Sequence, residues 1–444
     1  MKRSMCSVAA MAVALAACSG PSGQPAAPSL LPASYSARRP HTRTPIQHVV
    51  VVVQENRSYD NLFATFPGGD GTTTGKTPTG TIPLKKSPLV SRLTPTNDYP
   101  QCQRDYDKGK MDGFYTVPVE NNPGRYVYRY VDPAKIVPYW TLAKDYVLAD
   151  HMFQTQCSSS FTAHQDLIAA GTPINATEDV IDDPNNQPWA CPAPTGTVTS
   201  LISKKAGYLF EQGPFPCLGY STLRDSLDAK HVSWKYYVPQ LGSGFDGNIW
   251  NAFAAIKAVY NTAEYRANVV SPETQVFSDI TNGKLANVTW VIPDFTNSDH
   301  PGANSDTGPS WVAQVVNAIG QSQYWNSTAI VVVWDDWGGW YDHVPPPQYG
   351  MGELGFRVPM IAISPYARAG YVSHKQYEFG SIVKFIETTF GLPSLGRTDV
   401  RAHGFAGDFF NFKKPPRRFV PVPAKYSKSF FLHQRPSGKP VDTD

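Results

Sequence analysis

Two long apolar runs in this chain each end in polar residues. Residues 329–334 are continuously apolar and rich in valine, and residues 46–53 end in five consecutive valines. Such runs are typical of strands buried on both faces, as in the middle of a parallel sheet. The first run leads directly into Asp335 and Asp336, and the second leads into the polar residues 54–57. Because ligands bind beyond the carboxyl ends of strands in open α/β sheets, both clusters are candidates for a functional site.

Carboxylate and amide oxygens follow both predicted strands. Glu55 and Asn56 come after the N-terminal strand, and Asp335 and Asp336 come after the later one. Acids brought so close would repel one another without a cation, and an oxygen-rich set suits a hard or borderline divalent ion. The sequence therefore predicts one divalent metal ion of unassigned identity. The alternative is an acidic turn at a strand end, which Gly338 and its neighbour would permit.

Strands and helices alternate along much of the chain. Further predicted strands cover residues 234–237, 287–292 and 359–364, and predicted helices begin near Ser160 or cover residues 310–319 and 380–390. This alternation predicts an α/β fold with a mostly parallel central sheet. A chain of 444 residues can bury a large core and no second linker divides it, so we expect one domain with long insertions.

Two motifs give the chain a family resemblance. Residues 54–58 read QENRS after the first strand, and residues 341–347 read YDHVPPP soon after the paired acids. In these motifs the chain resembles a bacterial phosphoesterase family that includes acid phosphatases and phospholipases C. The resemblance covers residues 46–412. It implies an alkaline-phosphatase-like α/β fold with helices on both faces of the sheet, one metal centre and a hydroxyl nucleophile.

Ser160 is the candidate nucleophile. The spacing of apolar residues predicts a helix that begins near Ser160, and helix N-termini present free amide donors to a phosphoryl group. The family has a serine or threonine nucleophile that matches Ser160, with Ser158 and Ser159 as neighbouring alternatives. On the residues alone, the alternative is that these serines only cap the helix. His164 lies one turn further along, where a purely structural role is the alternative to a place in the site.

Two histidines are candidates for contacts with the phosphoryl group. His300 lies in a loop after the strand at residues 287–292, where ordinary surface placement is the alternative. The family's Asp-His-Pro segment implies that His300 contacts the phosphoryl group. His343 is our second choice for this role, with orientation of the acid pair as its alternative. The family often has a histidine ahead of the block at residues 108–114; residues 97–102 contain none, so one phosphate-contacting group is replaced or missing.

The N terminus predicts export. Lys2 and Arg3 precede an apolar run that is too short to span a bilayer, as in a signal peptide. The four residues ending at Cys18 resemble a bacterial lipobox, which implies cleavage before Cys18 and its acylation. We therefore expect a lipoprotein of the bacterial cell envelope, or a secreted protein if Cys18 is not acylated. The predicted divisions are a signal peptide at residues 1–17, a Pro/Ser-rich tether at 18–44, a phosphoesterase domain at 45–412 and a tail at 413–444.

Four cysteines remain after the N-terminal segment. An even number in an exported protein suggests two disulfides, for which three connectivities exist. We favour Cys191 with Cys217, both of which lie beside prolines, and Cys102 with Cys157. A four-cysteine zinc site is the alternative, although the chain has no CxxC spacing.

Charge does not predict a nucleic-acid partner. The 39 basic and 36 acidic residues give a net charge of +3, and loss of Lys2 and Arg3 would leave +1. The expected partners are a phosphoester substrate and, through Cys18, a membrane. We predict hydrolysis through a metal-activated serine and a phosphoserine intermediate, of acid-phosphatase type because neither a twin-arginine signal nor extra C-terminal modules are present. The alternatives are a phospholipase C acting on phospholipid headgroups and a non-catalytic metal-binding surface lipoprotein.

Overall fold

The computed structural model describes residues 44–119, 125–241, 248–351 and 354–439. The predicted signal peptide, Cys18 and all but the last residue of the predicted tether lie outside these ranges. None of the helices within the described ranges combines the length and the apolar character that a membrane span needs.

Most strands of the described chain are short. In chain order they are β1 (His48–Gln54), β2 (Thr74–Thr77), β3 (Gly80–Pro83), β4 (Lys85–Ser87), β5 (Arg129–Val131), β6 (Val147–Ala149), β7 (Met152–Phe153), β8 (Pro173–Asn175), β9 (Glu178–Ile181), β10 (Ser200–Ser203), β11 (Gly207–Leu209), β12 (Trp234–Tyr237), β13 (Val269–Val270), β14 (Val288–Val291), β15 (Thr328–Trp334), β16 (Met360–Ile363), β17 (Tyr371–Ser373) and β18 (Tyr377–Glu378).

Within the described residues, eight of these strands form one central sheet, in the order β13-β12-β14-β1-β15-β16-β6-β17. Strand β16 runs antiparallel to both of its neighbours, and every other pair in the sheet is parallel. Strands β1 and β15 lie side by side in the middle, and both are buried along almost their whole length. The predicted α/β fold with a mostly parallel sheet is confirmed.

The helices of the described chain are shorter on average than a full three turns. In chain order they are α1 (Tyr59–Phe63), α2 (Tyr99–Tyr106), α3 (Val137–Asp145), α4 (Ser160–Ala169), α5 (Leu223–Ala229), α6 (Ala263–Asn268), α7 (Gln275–Thr281), α8 (Gly308–Gly320), α9 (Phe379–Phe390), α10 (Thr398–Arg401), α11 (Ala406–Phe409) and α12 (Lys428–His433).

Helices around the sheet form two packed groups. Helix α8 packs against α3, α7 and α12, and helix α9 packs against α4 and α10. The largest apolar cluster joins side chains of both groups to the buried valines of β1 and β15. This arrangement leaves the carboxyl ends of the central strands as the place where polar residues converge.

Register between β1 and β15 sets the positions of the residues that follow. Val53 pairs with Val333, and Gln54 pairs with Trp334. Because the two strands are parallel and in this register, the next residue of each, Glu55 and Asp335, emerges at the same edge of the sheet.

A smaller antiparallel sheet and two disulfides lie outside the central sheet. Strands β8 to β11 form the smaller sheet, in the order β11-β10-β9-β8. Cys102 is bonded to Cys157, and Cys191 is bonded to Cys217. The favoured disulfide pairing is confirmed, so these four cysteines do not form a zinc site.

Candidate active site

Three carboxylates and an asparagine meet where β1 and β15 end. The backbone N–H of Asp335 donates to the carbonyl of Gln54 at 3.0 Å, which ties the two strand ends together. The N–H of Glu55 donates to the carbonyl of Ser298 at 2.8 Å. Glu55, Asp335 and their neighbour Asp336 are fully buried. The structure therefore brings together the acids that the sequence placed after two separate strands.

Tight backbone turns aim these side chains at one point. Asn56 has a positive φ of 55°, a conformation that asparagine tolerates, and its N–H donates to Asp335 Oδ1 at 3.0 Å. Gly338 has a φ of 60°, and its N–H donates to Asp336 Oδ1 at 2.7 Å. A Cβ on Gly338 would come within 2.3 Å of the carbonyl oxygen of Asn56, so only glycine fits there.

Helix α4 brings Ser160 to the carboxylates. Ser160 is its first residue, and the hydroxyl Oγ lies 3.3 Å from Asp336 Oδ2 and 3.4 Å from Glu55 Oε2. The preceding Ser159 occupies the N-cap position, but its side chain donates to Asp183 Oδ1 at 2.8 Å instead of capping the helix. Within the serine run, Ser158 and Ser159 donate to Asp182 and Asp183, whereas Ser160 donates to the acids of the site.

His164 completes the site one turn along α4. Its Nε2 lies 2.9 Å from Glu55 Oε1 and 3.9 Å from Asp335 Oδ2. The ligand atoms that Glu55, His164 and Asp335 can offer to a metal lie within 4.8 Å of one another. The sequence did not decide whether His164 is a structural residue or a site residue. Its spacing of four residues from Ser160, which places both on one helix face, was the feature that indicated the site.

Unpartnered oxygens indicate room for a cation. Asn56 Oδ1 and Asp335 Oδ2 are both buried and accept no hydrogen bond within the described chain. Buried polar atoms normally have partners, and uncompensated carboxylates are costly to bury. Carboxylate, amide and imidazole donors in this arrangement fit a divalent metal ion. The donor set thus matches the predicted metal centre, while the number of ions and their identity stay open.

Asn97 contacts the site from residues 97–102, the segment in which the sequence showed no histidine and predicted no functional residue. Its Nδ2 donates to Asp336 Oδ2 at 2.9 Å, and the side chain is buried. Asn97 precedes helix α2, whose Cys102 is bonded to Cys157 near the start of α4. The predicted disulfide therefore holds Asn97 beside the acids.

His300 lies in the loop after β14, close to the site. It is buried, and its ring centroid lies 6.0 Å from that of Trp250, which also stacks on His164 at 6.2 Å. The guanidinium of Arg57 fixes this loop by donating to the carbonyl of Asp299 from Nε at 2.9 Å and from Nη2 at 2.7 Å. Burial raises the pKa of the Asp299 carboxyl to about 6, against the opposing effects of Tyr139, Arg57 and Trp334. Contact of His300 with a phosphoryl group stays a prediction.

His343 sits in a second cluster, centred on a buried arginine. Its Nδ1 lies 2.7 Å from Asp60 Oδ2, and Arg357 pairs with Asp342 at 2.8 Å and with Asp60 at 3.3 Å. Burial would lower the pKa of His343, but its hydrogen bond to Asp60 and the nearby carboxylates raise it. The ligand atoms of Asp60, Asp342 and His343 lie within 4.8 Å of one another, but Arg357 already pairs with both carboxylates. The catalytic role predicted for His343 stays a prediction.

Comparison with known proteins identifies the family. The model of the phosphoesterase family matches residues 46–393, which include every candidate residue named above. The chain belongs to the phosphoesterase family. As a member of this family with phospholipase C relatives, it is a phosphoester-hydrolysing enzyme, and the non-catalytic alternative is set aside.

Curated relatives of this phosphoesterase carry phospholipase names. The chain is similar to phospholipase C B of Mycobacterium tuberculosis, at 26% identity over 85% of this chain and 80% of the relative. It is also similar to a non-hemolytic phospholipase C of Pseudomonas aeruginosa, at 24% identity over 89% of this chain and 62% of the relative. Non-specific phospholipase C1 of Arabidopsis thaliana is 24% identical over 92% of this chain and 78% of the relative.

Solved structures resemble the phosphoesterase only distantly. An alkaline phosphatase superfamily protein from Vibrio parahaemolyticus gives a TM-score of 0.36 at 10% identity, over 82% of this chain and 72% of that one. A sulfatase, PsFucS1, from Pseudoalteromonas gives a TM-score of 0.37 at 10% identity, over 84% of this chain and 74% of that one.

Proposed function

We propose that this phosphoesterase cleaves its substrate through Ser160, with a phosphoserine intermediate that water then hydrolyses. The observation that carries the proposal is the pair of hydrogen bonds from Ser160 Oγ to Glu55 and Asp336. A serine hydroxyl is a weak nucleophile at neutral pH and needs an adjacent group that accepts its proton or lowers its pKa. Among the described serines, Ser160 has this setting within the predicted metal centre.

We propose roles for the surrounding side chains from the ligand atoms that they offer. Glu55, Asn56, Asp335 and Asp336 would hold the divalent ion, and His164 is a further candidate ligand. A bound ion would supply charge to stabilise the transferring phosphoryl oxygens and would lower the pKa of the serine hydroxyl. Asn97 donates to Asp336 and so limits the rotation of this carboxylate.

The site contains an acceptor for the serine proton and donors that can stabilise the phosphoryl group. Asp336 Oδ2, at 3.3 Å from Ser160 Oγ, can accept the serine proton as the hydroxyl attacks the phosphorus. The N terminus of α4 presents positive dipole character to the phosphoryl group. His300 is the proposed donor to a phosphoryl oxygen or to the leaving group, and Arg57 holds its loop in place.

The substrate class we propose is a phosphodiester of phospholipid type. Curated relatives that align over most of this chain are named phospholipases C. The acid-phosphatase preference drawn from the sequence rested on the lack of a twin-arginine signal and of extra C-terminal modules, and neither feature defines a substrate. Monoester hydrolysis is the competing outcome of the test below.

The proposed location is outside the cytoplasm. Two disulfides within the described chain are typical of exported proteins. The signal peptide and the acylation of Cys18 stay predictions. Mass spectrometry of the protein from its native host would detect a lipid on Cys18 or a chain cleaved without one.

Substitution of Ser160 tests the mechanism. We expect Ser160→Ala to lower kcat on p-nitrophenylphosphorylcholine by at least about a thousandfold, the scale of losing a nucleophile. The matched control is Ser159→Ala, one residue away and bonded to Asp183, which we expect to keep more than half of the activity. Both variants are assayed with wild type, before and after metal removal by a chelator.

Each of three results would contradict part of the proposal. Activity that survives Ser160→Ala but not Ser159→Ala would move the nucleophile to the neighbouring serine. A wild-type enzyme that hydrolyses p-nitrophenyl phosphate faster than the choline diester would be a monoesterase. Activity unaffected by the chelator would remove the ion from the mechanism.

A further inference from the structure

Four exposed apolar side chains lie on or next to segments that line two neighbouring cavities. Ile174, Phe210, Tyr349 and Val400 are each between 38% and 64% exposed, although large apolar residues are normally buried. Isolated exposed apolar residues need no explanation, but a group around cavity mouths indicates a binding surface.

The larger cavity is basic. Its volume is about 870 Å³, and its walls include Pro173, Asn175, Tyr349 and residues 396–398. Ile174 lies between two of these wall residues. The charged residues that line this cavity are Lys204, Arg397, Arg401 and Asp179. Arg401 is paired with Glu378 at 2.9 Å, so Lys204 and Arg397 are the cations that face Asp179. We call it the basic cavity.

The smaller cavity is acidic and lies beside the nucleophile. Its volume is about 390 Å³, and its walls include Asn97, which donates to Asp336, and Ser159, which precedes Ser160. Phe210 lines its wall as well. The charged residues that line this acidic cavity are Asp98, Asp182, Asp183 and Glu211.

Two tyrosines with rings in contact lie between the two cavities. Tyr99 lines the basic cavity and Tyr208 lines the acidic cavity, and their ring centroids lie 5.3 Å apart. The face therefore presents a positive and a negative recess side by side, with apolar side chains around them. This combination complements a surface whose units each carry a phosphate, an ammonium group and an apolar tail.

We propose that this face docks on a bilayer of zwitterionic phospholipids. Ile174, Phe210, Tyr349 and Val400 enter the boundary between headgroups and acyl chains. The basic cavity receives lipid phosphates, and the acidic cavity receives the ammonium group of the lipid nearest to Ser160. This docking extends the proposed phospholipid hydrolysis, because it brings the substrate surface to the cavity beside the nucleophile.

Vesicle binding by a double variant tests the proposal. Ile174→Ser and Val400→Ser together remove two exposed side chains beside the basic cavity and leave Ser160 and its neighbours unchanged. The matched control is Val420→Ser with Leu432→Ser, which are 67% and 49% exposed. These control residues lie in the segment that packs on α8, in the other helix group.

The binding assay is kept independent of catalysis and of the predicted anchor. All chains are full length and carry Cys18→Ser, so that acylation cannot hold them on the membrane, and Ser160→Ala, so that vesicles stay intact. Any contribution of the N-terminal segment is common to all chains. Partition onto phosphatidylcholine vesicles is measured by sedimentation, with and without one-third phosphatidylglycerol.

We expect the Ile174 and Val400 variant to bind about tenfold more weakly to phosphatidylcholine vesicles, because membrane partition depends on the inserted apolar area. The control pair should bind within twofold of the parent. Hydrolysis of soluble p-nitrophenylphosphorylcholine by the corresponding Ser160 enzymes should be unchanged. Equal losses in both pairs, or no loss in the first, would overturn the docking proposal, as would binding that requires phosphatidylglycerol.

Hydrogen exchange provides a second measurement on unaltered side chains. Vesicles should slow amide exchange in residues 173–176 and 396–401 and leave residues 420–432 unchanged. Bound protein without protection in the first two segments would overturn the proposal even if a variant failed to fold. If the unsubstituted enzyme does not hydrolyse the soluble diester, that result would contradict the proposed function and would leave the binding result unaffected.

Discussion

Burial controls the protonation of individual residues away from the site. Glu273 is 5% exposed, and burial, with repulsion from Asp294, raises the pKa of its carboxyl to about 8. The folded protein therefore retains a proton on Glu273 that the unfolded chain releases above its ordinary pKa near 4.5. Protonation stabilises the folded state fully below about pH 4.5, and this stabilisation is lost as the pH rises towards 8.

Glu273→Gln should remove this pH dependence. Glutamine has nearly the same shape and no proton to lose, so at pH 9 the variant should exceed wild type in free energy of unfolding by about 5 kcal/mol. At pH 5 the difference should be much smaller. Urea unfolding at both pH values measures it, with Glu178→Gln, at a half-buried position of β9, as the control. A constant difference between the two pH values would contradict the assignment.

At the same scale, the sequence predicted which acids and which asparagine converge at the strand ends but not all of their neighbours. Glu55, Asn56, Asp335 and Asp336 were predictable because each follows a buried strand, and strand ends converge at one edge of a parallel sheet. Asn97 was not, because it comes from a loop whose position depends on tertiary packing. His343 illustrates the same limit: its motif is specific, but only the fold shows that its partners are Asp60 and Arg357.

Element by element, the apolar pattern predicted five of the eight central strands and helices α4, α8 and α9 to within two residues, whereas the short strands β6, β13 and β17 were not predicted. The runs at residues 46–53, 287–292 and 359–364 correspond to β1, β14 and β16, because buried strands are recognisable as continuous apolar segments. The direction of β16 was not predictable, since an antiparallel strand buried on both faces looks the same in sequence. The small sheet of β8 to β11 was missed because its strands are short and partly polar.

The two disulfides should differ in their effect on catalysis. Cys102–Cys157 closes a separation of 55 residues and Cys191–Cys217 one of 26, so removing either should cost about 4 kcal/mol of stability in the loop-entropy picture. Only the first joins helix α2, next to Asn97, to the segment that leads into Ser160. We therefore expect the Cys102→Ala and Cys157→Ala double variant to lose at least about tenfold in kcat/KM.

Removal of the other disulfide is the matched control. The Cys191→Ala and Cys217→Ala double variant should retain most of its kcat/KM when assayed well below its own melting temperature. Thermal melting and diester hydrolysis are measured on the same preparations. Equal kinetic losses in the two variants would show that the first disulfide contributes stability alone.

Across the whole molecule, the site joins segments far apart in sequence. Its side chains come from after β1, from α4 and from after β15, and three of them are buried carboxylates. Without a cation these charges repel one another inside the folded protein. Global stability should therefore depend on the metal ion.

Chelation should lower the melting temperature of the wild type. A free metal concentration a hundred times Kd adds about 2.7 kcal/mol to the free energy of unfolding, and a chelator removes that gain. Asp335→Asn should be less sensitive to the chelator, because it binds the ion more weakly and carries one buried charge fewer. Calorimetry measures both, with Asp306→Asn, a surface acid paired with Lys425, as the control. An equal chelator effect in Asp335→Asn and wild type would contradict the metal assignment.

The pairing of Gln54 with Trp334 also constrains how this enzyme can evolve. Strand side chains alternate between faces, so inserting or deleting one residue in β1 or β15 would turn the following acids away from their partners. Substitutions among valine, isoleucine and leucine preserve the alternation, whereas a change in strand length does not. Descendants of this gene should therefore vary in which apolar residues form these two strands, while the number of residues in each strand stays fixed.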